Sequence, residues 1–107
     1  MSAVSNKRDA NGTSVPIYNY LNITLAAPTT TLVKTGAGFL HSITFNKPTA
    51  TGVVKIDDAL TDTTPVIGTV TTPANPQPFT VIYDVEFTTG LTIVTSTAAQ
   101  DLTISYI

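Results

Sequence analysis

The chain contains no cysteine, no tryptophan and a single methionine in 107 residues. Without thiols there can be no disulfide staples, no cysteine-ligated zinc and no thiol nucleophile. Charge is also sparse. Asp, Glu, Lys and Arg together make up 11% of the sequence, less than half of the roughly 25% usual in globular proteins. Five cations against seven anions leave a formal net charge of −2 and a pI near 4.9. That balance provides no basic field to hold nucleic acid. Apolar runs last only a few residues, too short to span a membrane. The opening MSAVSNKRDANGTS has no apolar segment of the kind a secretory signal needs. The expectation is a protein made in a cytosol, with neither nucleic acid nor membrane as partner.

What the chain does hold is β-branched side chains. It has 22 Thr, 10 Val and 9 Ile, residues that are stiff at χ1 and favour strands over helices. Hydrophobic residues amount to 42% and mean hydropathy is +0.24, which excludes disorder driven by high charge and low hydrophobicity. No window sustains a 3.6-residue apolar period, and Pro or Gly interrupts nearly every candidate. The reading is all-β, and the length allows one domain with one core. So little charge over so much surface also fits a subunit partly covered by neighbours.

The clearest pattern lies in residues 78–107. Phe79, Val81, Tyr83, Val85 and Phe87 share one parity, with Thr80, Asp84 and Glu86 on the other, the signature of a half-buried strand. Thr88-Thr89-Gly90 follows as a short loop in which glycine could supply φ > 0, then strands at 91–95 and 102–106. These three strands read as a meander. Upstream, Ile17 to Leu25 places Leu21, Ile23 and Leu25 on one face and Tyr18, Tyr20, Asn22 and Thr24 on the other. A short strand at 30–34 leads through Thr35-Gly36-Ala37-Gly38, with two glycines offering positive φ, to Phe39–Phe45. There Phe39, His41, Ile43 and Phe45 share an apolar parity that predicts a packed histidine. Strands at 53–56 and 66–70 flank a polar loop, and the prolines at 73, 76 and 78 predict a connection too rigid for a tight hairpin, one that crosses between sheets or runs along an edge.

About eight strands at intervals of roughly 8–12 residues predict a small β-sandwich of jelly-roll or Greek-key type over residues 17–107. Residues 1–16 are polar and small and read as an extended N-terminal arm. It is either a loose terminus or a segment that orders on a neighbouring subunit, with Lys7 and Arg8 as charge anchors. Tyr18 and Tyr20 stand on a polar face, where tyrosine suits an interface. Lys47, Asp57 and Asp58 lie in or beside loops and join Lys7, Arg8, Tyr18 and Tyr20 as candidate partner-interface residues.

No chemistry is legible. His41 and Ser42 are strand neighbours pointing to opposite faces, and no G-x-S-x-G occurs. Asp84 and Glu86 share an outward parity rather than an apolar pocket. Asp57, Asp58 and Asp62 lack the spacing of a calcium loop. Phosphate-binding, dinucleotide and His-based metal motifs are missing. The expectation is therefore no enzyme, no catalytic residue, no metal and no cofactor.

Thr35-Gly36-Ala37-Gly38-Phe39-Leu40-His41-Ser42-Ile43, the run Tyr83-Asp84-Val85-Glu86-Phe87-Thr88-Thr89-Gly90-Leu91-Thr92-Ile93, and Ala99-Gln100-Asp101-Leu102-Thr103-Ile104-Ser105-Tyr106 together carry a resemblance. Over residues 30–107 the chain resembles the small all-β virion proteins of tailed bacteriophages. These pair a glycine turn before a Leu-His or similar strand with a terminal Phe-x-x-Gly-Leu hairpin. The resemblance implies a head decoration, or cement, protein: a homo-oligomer, trimeric by preference or else dimeric, that sits on the capsid surface of the virion after assembly in the host cytoplasm. It would bind the outside of the head and clamp neighbouring copies of the major capsid protein. The alternative is a tail or fibre protein, or a recognition module that binds glycans through Tyr and Thr on one sheet face.

Overall fold

The computed structural model describes residues 6–8, 14–26 and 28–107. Ten strands follow one another: β1 (Asn6–Arg8), β2 (Ser14–Pro16), β3 (Asn19–Ala26), β4 (Thr29–Thr35), β5 (Gly38–Lys47), β6 (Val53–Asp57), β7 (Val66–Thr71), β8 (Phe79–Phe87), β9 (Gly90–Ser96) and β10 (Gln100–Tyr106). Strands β3 to β10 form two four-stranded antiparallel sheets, ordered β3-β10-β5-β8 (sheet I) and β4-β9-β6-β7 (sheet II). This is the connectivity of a jelly roll, in which every link except β6–β7 passes from one sheet to the other. Within residues 1–16, β1 and β2 pair antiparallel as a hairpin that belongs to neither sheet.

The alternating chain path explains the core. The inner strands β10, β5, β9 and β6 each bury their apolar inward residues completely: Leu102 and Ile104, Leu40, Ile43 and Phe45, Leu91 and Ile93, Val54 and Ile56. Edge strands cover that layer from one side only, so Phe79, Val81, Tyr83 and Val85 of β8 are half-buried, and Phe87 alone is fully enclosed. Phe79 stacks on Phe45 with ring centroids 4.3 Å apart.

Residues 78–107 are not a meander. β8 and β10 lie in sheet I with β5 between them, while β9 lies in sheet II. Alternation specifies which way side chains face but is silent on which strand lies alongside. β5 also departs from simple parity. Register shifts occur on both of its sides, between Leu40 and Ser42 against β8 and between Ser42 and Leu40 against β10. The break moves Leu40 into the core and turns His41 outward, half-exposed rather than packed among apolar side chains. Opposite it, Asp84 takes the left-handed region at φ 51°, a conformation aspartate tolerates better than most residues.

The glycines divide into two kinds. Gly36 has φ +89° and an added Cβ would meet nothing within 4 Å, so its role is conformational. Gly38 and Gly90 have no positive φ and are needed for close approach. Gly68 does the same across the sandwich, beneath the Tyr83 ring of the opposite sheet. A Cβ there would lie 2.6 Å from the Tyr83 hydroxyl and 3.2 Å from its ring. The clash falls on the end of a half-buried side chain that can swing outward. Gly68→Ala is therefore expected to cost only about 1–2 kcal/mol, read as a modest fall in Tm with the fold retained.

Candidate functional site

The outer face of sheet I carries rows of mostly polar side chains. Register aligns its outward residues in rows across four strands. One row runs Tyr20, Ser105, Ser42, Ile82, and the next runs Asn22, Thr103, Thr44, Thr80. In the first, Tyr20 is 76% exposed and Ile82 57% exposed at the two edges. The small Ser105 and Ser42 lie between them. In the second, the Thr44 and Thr80 hydroxyls are 3.0 Å apart. Beyond it Asp101 Oδ1 accepts from Asn22 Nδ2 at 2.8 Å and Asn46 Nδ2 at 3.2 Å, and Asn46 Nδ2 also donates to Thr103 Oγ1 at 2.8 Å. At the opposite end, His41 Nδ1 meets Asp84 Oδ1 at 2.5 Å, and the Tyr18 ring stacks on the imidazole at 4.4 Å, 13° from parallel.

Tyr18 and Tyr20 thus lie on this face as expected, one holding the histidine and the other open to solvent. Lys47 ends β5 opposite Asp101, exposed. Lys7 and Arg8 belong to β1, but their side chains lie outside the described residues. Asn22, Asn46, Asp101, Thr103 and Ile82 were not singled out from the sequence. Their outward parity was visible, but their juxtaposition depends on pairing residues up to 80 positions apart.

Asp57 and Asp58 hold structure together. Asp57 is fully buried under the 58–65 loop. Its Oδ2 accepts from Thr63 N at 3.2 Å and its Oδ1 faces Lys55 Nζ at 3.4 Å. Lys55 also donates to Asp62 Oδ1 at 2.8 Å and to the Thr63 carbonyl at 3.2 Å. The hydrogen bond to Asp62 is the main reason the Lys55 pKa is raised. Thr92 Oγ1 donates to the Ala59 carbonyl at 2.7 Å, so the loop is pinned flat against sheet II. Asp58 points to the β8–β9 turn and accepts from the backbone N–H groups of Thr88, Thr89 and Gly90 and from the Thr88 hydroxyl. Burial pushes its pKa up, but these hydrogen bonds outweigh that and hold it below the ordinary 3.8. Asp57 and Asp62 thus share Lys55 while Asp58 turns to the β8–β9 turn, and no group of three His, Cys, Asp or Glu suited to a metal occurs among the described residues.

Sheet II presents a different outer surface. Leu32 on β4 and Val66 on β7 end a row whose middle members, Thr92 and Asp57, lie under the loop. Leu60 projects from that loop, and all three aliphatic side chains are exposed. No family model, no curated protein and no solved structure matches this chain.

Proposed function

We propose that the chain is a structural virion protein of the decoration type, which binds the outer surface of a bacteriophage head and stabilises the lattice of the major capsid protein. One observation carries this reading: the exposed Leu32, Leu60 and Val66 are held on a loop and sheet fixed by the Lys55–Asp57–Asp62 contacts. Apolar side chains presented on a rigid platform suit a seam between subunits, because little ordering entropy is lost when they are covered. The partner is the major capsid protein, the site of action is the capsid surface, and the chain acts as a homo-oligomer, a trimer by preference. The chain works by burying area, with no catalytic step.

The purified protein is expected to co-sediment with expanded heads built from the major capsid protein of the same phage and to raise their disruption temperature. Leu32→Ser and Leu60→Ser, both at exposed positions, are expected to weaken co-sedimentation without lowering the protein's own Tm. Wild-type protein that leaves heads unbound and their disruption temperature unchanged sinks the proposal. Sedimentation equilibrium reads the oligomeric state directly.

A further inference from the structure

We propose that the flank of the sandwich formed by β7 and β8 is the self-association surface, covered by the same flank of a second copy of this chain across the axis of the homo-oligomer. The inference rests on the homo-oligomer part of the reading above and adds the surface that makes it.

The two sheets close over the core unequally. β7 and β8 are edge strands of opposite sheets, and Gly68 beneath the Tyr83 ring places them on the same side. Nine partly buried hydrophobic residues pack against the enclosed cluster, and six of them lie on this flank: Ile67 and Val70 of β7, and Phe79, Val81, Tyr83 and Val85 of β8. The opposite flank, formed by β3 and β4, contributes only Leu21 and Val33 among the described residues, and its Ile23 is buried. A partner seated along β7 and β8 would complete a burial that folding has begun. The side chains are already ordered against the core, so covering them sacrifices little further freedom. Tyr83 stands in the middle of the flank. Burial pushes its pKa up, and its hydroxyl has no hydrogen-bond partner among the described residues. A tyrosine that is half apolar contact and half open hydroxyl suits an interface.

Charge and size both fit a second copy. β7 has no charged residue, and on β8 Asp84 and Glu86 come only after Tyr83, with Asp84 engaged by His41. β8 laid against β7 of the next copy would meet no charge, and β8 laid against an antiparallel β8 would hold the carboxylates at opposite ends of the seam. Neither arrangement sets like charges opposite one another at its centre. The unpaired N–H and C=O groups of an edge strand are also open to a second strand. β8 spans nine residues, about 30 Å of strand, and two sheets about 10 Å apart with their outer side chains make the flank about 20 Å wide. That is on the order of 600 Å², close to the roughly 800 Å² that each partner buries in a standard interface.

The test is sedimentation equilibrium of the full chain beside a variant carrying Ile82→Lys and Thr69→Lys. Both residues are exposed on the edge strands, so the lysines spare the core while placing charge at the rim of the seam. The wild type is expected to be oligomeric, and the double variant to associate about tenfold more weakly or worse with an unchanged far-UV CD spectrum. Leu32→Ser, on the surface assigned to the head, is expected to leave self-association as it was. A second measurement needs no substitution: on dilution of the 15N-labelled chain, the amides of β7 and β8 are expected to shift while those of β3 stay in place. An oligomer that survives both lysines, or dilution shifts on β3 and β4 instead, overturns this proposal and leaves the homo-oligomer standing. A wild type that stays monomeric overturns both, while co-sedimentation with heads still tests the capsid contact by itself.

Discussion

Gly38→Ala is expected to be the most damaging glycine-to-alanine change among the described residues. Gly38 opens β5 where Ile107 packs against it, and an added Cβ would sit 2.3 Å from the Ile107 backbone carbonyl oxygen and 2.5 Å from the Phe87 ring. That carbonyl accepts from Phe39 N at 2.9 Å, while Ile107 N donates to the Phe39 carbonyl at 2.8 Å. Relief therefore means breaking a reciprocal backbone pair or displacing a fully buried phenylalanine. Unlike Tyr83 above Gly68, neither obstacle is a free-ended side chain. The expected cost is about 3 kcal/mol or more, measured by urea denaturation. Gly36→Ala provides a contrast. It meets open space but must adopt φ +89°, so its loss, roughly 1 kcal/mol, comes from backbone strain alone. Equal losses for the two variants would contradict this account.

Asp58 carries the second large effect. Asp58→Ala removes the acceptor for three backbone N–H groups in the turn that sends the chain from sheet I to sheet II. Water can reach Thr88 and Thr89, which limits the loss to about 2 kcal/mol, roughly 10 °C in Tm for a domain of this size. The pH dependence has a definite sign. The folded pKa is depressed, so the contribution is fully present above the unfolded value near 3.8 and is lost as pH falls through the lower folded value. Stability of the wild type should therefore fall on acidification below about pH 4 more steeply than that of Asp58→Asn, which has no carboxylate to protonate. Parallel stability curves for the two proteins between pH 5 and pH 2 would remove Asp58 as the cause.

All eight strands of the sandwich were legible in the sequence, because β-branched alternation broken by Gly and Pro leaves little other use for those segments. The crossing at residues 71–78 was legible too: prolines at 73, 76 and 78 cannot form a tight hairpin, and the chain passes there from β7 in sheet II to β8 in sheet I. His41 escaped the same logic. A bulge inserts one residue, and one residue reverses every facing that follows. Parity counted straight through Phe39–Phe45 thus put Phe39 where Leu40 belongs.

Composition and local pattern alone determined the fold class, the eight strands of the sandwich and the outward placement of Tyr18, Tyr20 and Asn22, since each depends only on residues near one another in the chain; the β1–β2 pairing within residues 1–16 was not among them. The tertiary structure decided what stands beside what. It placed β9 in sheet II between two sequence neighbours in sheet I, turned Asp57 and Asp58 into internal anchors, and brought Asn22, Asn46 and Asp101 together from three strands. The physical reason is that side-chain alternation encodes a direction for each residue, whereas strand pairing is settled by the collective burial of eleven core side chains, a quantity no single segment contains.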